Sequence, residues 1–214
     1  MDLPFQDRAE AGRLLASQLS TRELTNAVVL ALPRGGVPVA AEVAAALRAP
    51  LDIVVVRKLG VPWQPELAMG AICGSTRILE RDEIEAIGIS REQIEKVVAR
   101  ETREMERREK LYRSGRPALD IHGKNVLLVD DGLATGSTMA AAARHIRSLR
   151  PAKVIVAVPV ASSEARDRMR HEADECLCLA CPDPFFAVGQ WYVNFDQVGD
   201  EEVQEILSRF ATAD

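Results

Sequence analysis

Short, unbroken apolar runs recur along this chain, separated by segments with helical spacing, and that alternation narrows the folds open to it. Ala27–Leu32, Leu51–Val56, Asn125–Val129, Val154–Val160 and Cys176–Leu179 are apolar at nearly every position. Runs this short, rich in Val, Ile and Leu, mark strands buried on both faces of a parallel sheet. Between them, residues 7–19 (with Ala9, Leu14, Leu15 and Leu19), Pro38–Leu47, 136–149 and 162–172 read as helices. Strand–helix–strand units place their strands parallel, with right-handed crossovers. The expected fold is therefore α/β: an open, doubly wound parallel β-sheet flanked by helices. In such sheets ligands bind beyond the carboxyl ends of the strands. Three loops fall there: 33–37, 57–66 and 130–138.

The length of 214 residues suits a single domain. Its core is expected at about 22–60 and 120–180, with a lid or helical insert at 61–119 and a small C-terminal hood at 181–200. Pro62, Pro65 and Gly74 interrupt the insert, where 71–73 and 77–79 can pair as a hairpin. Ser90 is placed as an N-cap for a helix over 91–113. That helix has Ile94, Val97, Val98, Met105 and Tyr112 on one stripe and a charged remainder. It could be a solvated face, an oligomer contact or a shield for the site. Cys176, Cys178 and Cys181 have no nearby His and read as small hydrophobes in a strand, as does Cys73. His122, His145 and His171 read as surface residues.

The formal net charge is −5, which argues against general nucleic-acid binding through phosphate contacts. No apolar run approaches the roughly 20 residues of a membrane helix, and residues 1–8 lack the pattern of a secretory leader. The expectation is a cytoplasmic protein with neither nucleic acid nor membrane as partner, forming a homodimer or other homo-oligomer.

The most informative segment is Val126-Leu127-Leu128-Val129-Asp130-Asp131-Gly132-Leu133-Ala134-Thr135-Gly136-Ser137-Thr138. A buried strand carries two carboxylates to its exposed end. A loop with glycines and hydroxyls follows, then an Ala-rich helix. Amides at a helix N-terminus attract anions, and Gly136 permits close approach while Thr135, Ser137 and Thr138 add donors. Acids beside that cradle would repel a bare phosphate. They suit a sugar phosphate, whose hydroxyls they accept, or Mg²⁺ reached through its waters. Neither a Walker loop nor a Gly-x-Gly-x-x-Gly fingerprint occurs.

Segment 126–138 resembles the phosphoribosyl pyrophosphate (PRPP) motif of type I phosphoribosyltransferases. The resemblance implies that Asp130 and Asp131 hold the ribose 2′ and 3′ hydroxyls and touch Mg²⁺ indirectly, through Mg²⁺–PRPP. It assigns the 5-phosphate to Ala134, Thr135, Gly136, Ser137 and Thr138, with Gly132 in the same loop. Pro33-Arg34-Gly35-Gly36 is similar to the family's first loop, which binds pyrophosphate through amides and often contains a non-proline cis peptide. Arg34 would add a charge-assisted contact. Arg57 and Lys58 stand where some family members carry basic residues near pyrophosphate, or they are a solvated strand end. Arg34, Arg57 and Lys58 are the expected catalytic cations, and Trp63 and Glu66 are candidates for a mobile lid.

The implied activity is Mg²⁺-dependent transfer of 5-phosphoribose from PRPP to a nitrogenous base, purine or pyrimidine, with release of pyrophosphate. The hood, Cys181–Tyr192, faintly resembles a stretch of the 6-oxopurine enzymes. Asp183, Phe185, Phe186 and Trp191 would then bound a base pocket, although the two Phe could equally pack the C-terminal turn. Two departures disfavour guanine or hypoxanthine. Ala134 replaces an Asp of those enzymes, and Val158–Ser162 lacks their Lys. The alternative function is a non-catalytic PRPP- or nucleotide-binding regulator of the same fold. Phosphate-ester hydrolysis is weaker still, for want of a nucleophile or metal cluster.

Overall fold

The computed structural model describes residues 3–211. Five strands, β1 (Ala27–Ala31), β2 (Leu51–Ile53), β6 (Asn125–Val129), β7 (Lys153–Val160) and β8 (Glu175–Ala180), form one sheet in the order β2-β1-β6-β7-β8. Every pairing in it is parallel. This is the open, doubly wound α/β sheet expected from the alternating runs. Alternate residues of the buried strands serve opposite faces. Val29, Ala31, Leu127, Val129 and Ile155 meet α1 (Arg8–Leu19) and α2 (Gly36–Leu47). Val28, Leu30, Val126, Leu128 and Val156 meet α5 (Ser137–Ser148) and α6 (Ser163–Glu172). From β1 the chain winds outward to β2, whereas from β6 it winds the other way through β7 to β8. The winding therefore reverses between β1 and β6, where an α/β sheet opens a crevice for ligand.

The second apolar run divides, contrary to the single strand expected over Leu51–Val56. β2 stops at Ile53, and β3 (Val56–Val61) turns away into an antiparallel sheet with β4 (Gln64–Cys73) and β5 (Thr76–Leu79). Residues 57–66 are thus not a loop at the sheet's carboxyl edge but a hairpin. The physical reason lies in the burial pattern. Arg57 and Lys58 lie half-buried and exposed at its start while Leu59, Gly60 and Val61 are buried, so β3 carries charge that a strand buried on both faces of the main sheet would not accommodate. The expected 71–73 with 77–79 hairpin is present, with Ala71 opposite Ile78 and Ile72 opposite Arg77.

α3 (Arg81–Ile87) leads to α4 (Arg91–Arg113), whose N-terminus has the capping box Ser90/Gln93. Val97, Val98, Met105 and Tyr112 are buried in the core shared with α2 and β3. Two ion pairs hold α4 to the strands. Arg57 donates to the buried Glu101 at 2.7 and 3.0 Å. Arg113 holds the buried Asp52 at 2.9 Å. The helix α7 (Asp200–Ser208), absent from the sequence expectation, packs its Val203 and Leu207 into the same core. His145, expected on the surface, is half-buried with Nδ1 3.2 Å from Thr76 Oγ1, and burial lowers its pKa. Cys178 and Cys181 place their sulfurs 3.6 Å apart at the end of β8. No helix of the described residues is long and apolar enough to cross a membrane.

Candidate active site

Two loops meet where the winding reverses. β1 and β6 run side by side, Ala31 opposite Val129, and the Leu32 amide donates to the Val129 carbonyl at 2.9 Å. The chain beyond β1, Pro33-Arg34-Gly35-Gly36, therefore lies against the chain beyond β6, Asp130-Asp131. Contact is so close that a Cβ on Gly36 would stand 2.7 Å from the Val129 carbonyl oxygen and 2.8 Å from Asp130 Cα. The Pro33–Arg34 peptide is cis. An open cavity of about 390 Å³ is lined by Arg8, Arg34, Gly35, Asp131, Phe195 and Gln197, among others.

Asp130 and Asp131 are both half-buried. Burial holds the Asp130 carboxyl well above its usual pKa, and the Asp131 charge adds to the effect. Burial raises Asp131 as well, against the opposing pull of Arg8. Arg8, the first residue of α1, donates from Nε to Asp131 Oδ2 at 2.9 Å and from Nη1 to the Asp196 carbonyl at 2.8 Å. Its guanidinium sits 3.9 Å from the centroid of Phe195. Phe195 stacks in turn on Tyr192, whose hydroxyl donates to the Asp131 carbonyl at 2.6 Å. Arg8 therefore holds the second carboxylate and Tyr192 the backbone of the same residue, with Phe195 packed between them. Sequence reading missed all three.

Beyond Asp131 the loop rises over the sheet edge. Leu133 bridges to Ala161, its amide donating to the Val160 carbonyl at 2.9 Å. Gly132 is buried under Val188 of the hood, where a Cβ would come within 2.6 Å of Val188 Cγ1. Gly136 caps α5 with φ of 73°, in the left-handed region that glycine favours. Ala134, Thr135, Ser137 and Thr138 are exposed around the N-terminus of α5. The Thr135 hydroxyl lies 3.3 Å from that of Ser137.

The expected cations separate into two places. Arg34 lies in the cavity with Gly35 and contacts Asp200 of α7 at 3.5 Å. Arg57 and Lys58 stand on β3 instead. Arg57 is engaged by Glu101, and Lys58 Nζ donates to the Glu66 carbonyl at 2.6 Å across the hairpin. Trp63, at the hairpin turn, is 56% exposed. In the hood, Phe185 and Trp191 pair with ring centroids 6.0 Å apart, while Phe186 is 82% exposed and Asp183 is exposed. Trp191 Nε1 is buried without a hydrogen-bond partner among the described residues.

A half-buried carboxylate pair beside a glycine-containing loop, at the switch point of a doubly wound parallel sheet, places these residues where the type I phosphoribosyltransferase fold opens its crevice. The phosphoribosyl transferase domain family matches residues 5–196, and the chain belongs to that family. Two Mycobacterium tuberculosis proteins, each named "Putative phosphoribosyl transferase", are 46% identical over 206 residues, 96% of this chain. The chain spans 46% of the length of those relatives. The crystal structure of TT1426 from Thermus thermophilus is 43% identical, with a TM-score of 0.84 over 98% of this chain and all of that one. A hypoxanthine-guanine phosphoribosyltransferase from Bacillus anthracis shares the fold at 16% identity. Its TM-score is 0.50 over 86% of this chain and 85% of that one.

Proposed function

We propose that this domain transfers 5-phosphoribose from Mg²⁺–PRPP to a nitrogenous base and releases pyrophosphate. The observation that carries the reading is the contact of Gly35-Gly36 with Asp130-Asp131. It joins a pyrophosphate loop to a ribose-binding carboxylate pair with no side chain between them. PRPP has the matching order of groups: pyrophosphate on C1, hydroxyls on C2 and C3, phosphate on C5.

In this reading the carboxylates accept hydrogen bonds from the 2′ and 3′ hydroxyls. Amides and hydroxyls of 134–138 hold the 5-phosphate at the helix N-terminus. Gly35, Gly36 and Arg34 face the pyrophosphate, and stabilising charge that develops on the leaving group is the largest contribution such a site makes. Mg²⁺ arrives with the substrate rather than residing on the protein. Bound with PRPP, it would neutralise leaving-group charge, and Asp130 and Asp131 would reach it through water. In this reading the β3–β4 hairpin, with Trp63 exposed at its turn and Glu66 exposed on β4, serves as the lid that excludes water from the activated sugar.

The test is calorimetric titration with PRPP and Mg²⁺ against wild type and an Asp130→Asn/Asp131→Asn double variant. Magnesium-dependent binding by wild type alone is the expected result, and a screen of bases for pyrophosphate release then identifies the acceptor. A folded wild type that does not bind PRPP overturns the reading. Binding without release by any base moves the assignment to a regulatory sensor.

A further inference from the structure

We propose that Arg168 of α6 supplies the cation of the 5-phosphate subsite; the inference rests on the PRPP reading above. A phosphate monoester carries close to two negative charges at neutral pH, whereas a helix N-terminus offers about half a positive charge. The loop Ala134-Thr135-Gly136-Ser137-Thr138 contains no cationic side chain. Of the arginines near that loop, Arg8 is held by Asp131 and Arg144 by Glu172. Arg166 and Arg170 on α6 itself both lie beside Asp167. Arg168 forms no ion pair among the described residues, and its side-chain hydrogen bond runs from Nη1 to Ser137 Oγ at 3.0 Å.

The backbone beneath Arg168 is fixed to the phosphate loop. Ser162 caps α6, accepting from the Ala165 amide at 3.0 Å, and its hydroxyl donates to the Ala134 carbonyl at 2.6 Å. Its amide donates to the Leu133 carbonyl at 2.9 Å. Gly136 packs on the same helix, where a Cβ would lie 3.3 Å from both Ala165 Cβ and Met169 Cε. Arg168 directly precedes Met169 and so rises at the edge of this contact. Beside it opens a cavity of about 270 Å³, lined among others by Ser137, Arg144 and Arg168, by Gly70 of β4, and by the carboxylates of Glu80 and Glu172, the second of them paired with Arg144. α6 thus forms a wall of the phosphate site, and its one unpaired guanidinium among the described residues reaches the residue where the anion would sit. Bidentate guanidinium–phosphate contact has the strength and direction needed, tempered here by solvent because Arg168 is exposed.

The experiment measures binding of ribose 5-phosphate, and separately of inorganic pyrophosphate with Mg²⁺, to wild type, Arg168→Gln and Arg170→Gln. Arg170→Gln removes the same charge from the same helix and serves as the control. Expected is an affinity for ribose 5-phosphate about tenfold weaker in Arg168→Gln alone, with pyrophosphate binding and thermal midpoint unchanged. Equal binding by wild type and Arg168→Gln overturns the role of Arg168 and leaves the PRPP site standing. Equal weakening in both variants also overturns it, in favour of a diffuse charge effect. If wild type binds neither ribose 5-phosphate nor PRPP, the site reading itself fails and Arg168 falls with it.

Discussion

Gly35 stands so close to Asp131 that a Cβ at residue 35 would lie 2.1 Å from Asp131 Oδ2. The backbone at Gly35 has φ −60° and ψ −33°, angles that any residue adopts. Its glycine is required for space, not for conformational freedom. Gly35→Ala must therefore push the Asp131 carboxylate aside or separate the two loops. Misplacing a positioning group by about 1 Å weakens function about a hundredfold. The expected outcome is a loss of that order in PRPP affinity by calorimetry, with the far-ultraviolet circular dichroism of wild type. Unchanged affinity would mean that the two loops do not serve one ligand.

Arg8 tests the other side of the same carboxylate. The Arg8 and Asp131 side chains are only 12% and 13% exposed, so removing one leaves a buried charge unbalanced. Arg8→Ala is expected to lose about 3 kcal/mol of stability in denaturant titration at pH 7. Part of that loss should return on acidification, because Asp131 deprived of its partner takes up a proton more readily. Arg8→Lys keeps the charge but cannot span Asp131 and the Asp196 carbonyl as the planar fork does. It should recover some stability and little PRPP affinity.

The sequence made the strands, the capped helix 91–113 and the phosphate loop legible, because each is a local pattern. Ser90 with Gln93 is a capping box within four residues, and 126–138 is one unbroken run. Arg8 was not legible, since its partner is 123 positions away and nothing in an amphipathic first helix singles out one arginine. Glu101 and Arg57 present the same difficulty. Glu101 looked like a solvated charge and Arg57 like a cation for pyrophosphate, and only the turn of β3 out of the main sheet brings them together. That turn was hidden because Leu51–Val56 is apolar throughout, so periodicity could not show where one sheet ends and the other begins. α7 was missed because a nine-residue helix with an acidic first turn resembles a solvated tail.

Asp130 should trade stability for function. Burial and the neighbouring Asp131 charge hold its folded-state pKa well above the 3.8 of a free aspartate. A carboxyl raised in this way stabilises the fold only while protonated. Its contribution is complete below pH 3.8 and is lost as pH rises through the folded-state value. Asp130→Asn stays neutral throughout, and its amide oxygen can still accept from the Asp131 amide. Scanning calorimetry should give a higher thermal midpoint for Asp130→Asn than for wild type at pH 7. The difference should shrink to nothing near pH 3.8, while PRPP binding at pH 7 is abolished. A variant less stable than wild type at pH 7 would show that the carboxylate is satisfied in the free protein.

Asp200 holds two residues at once: Tyr112, whose hydroxyl donates to Oδ1 at 2.7 Å, and Arg34, 3.5 Å away. Burial and this bond push the Tyr112 pKa up to about 12, so the hydroxyl remains a donor at any working pH. Arg34 is the cation beside Gly35, and in the proposed reaction pyrophosphate competes with Asp200 for it. Asp200→Asn keeps an acceptor for Tyr112 and removes the competing charge. The Arg34–Asp200 pair is long and partly solvated, with side chains 33% and 41% exposed. Stability should therefore change by less than about 1 kcal/mol. Affinity for Mg²⁺-pyrophosphate should rise severalfold, and the gain should disappear in an Arg34→Ala background. A fall in affinity would instead show that Asp200 aims Arg34 at the ligand, and that α7 belongs to the site rather than opposing it.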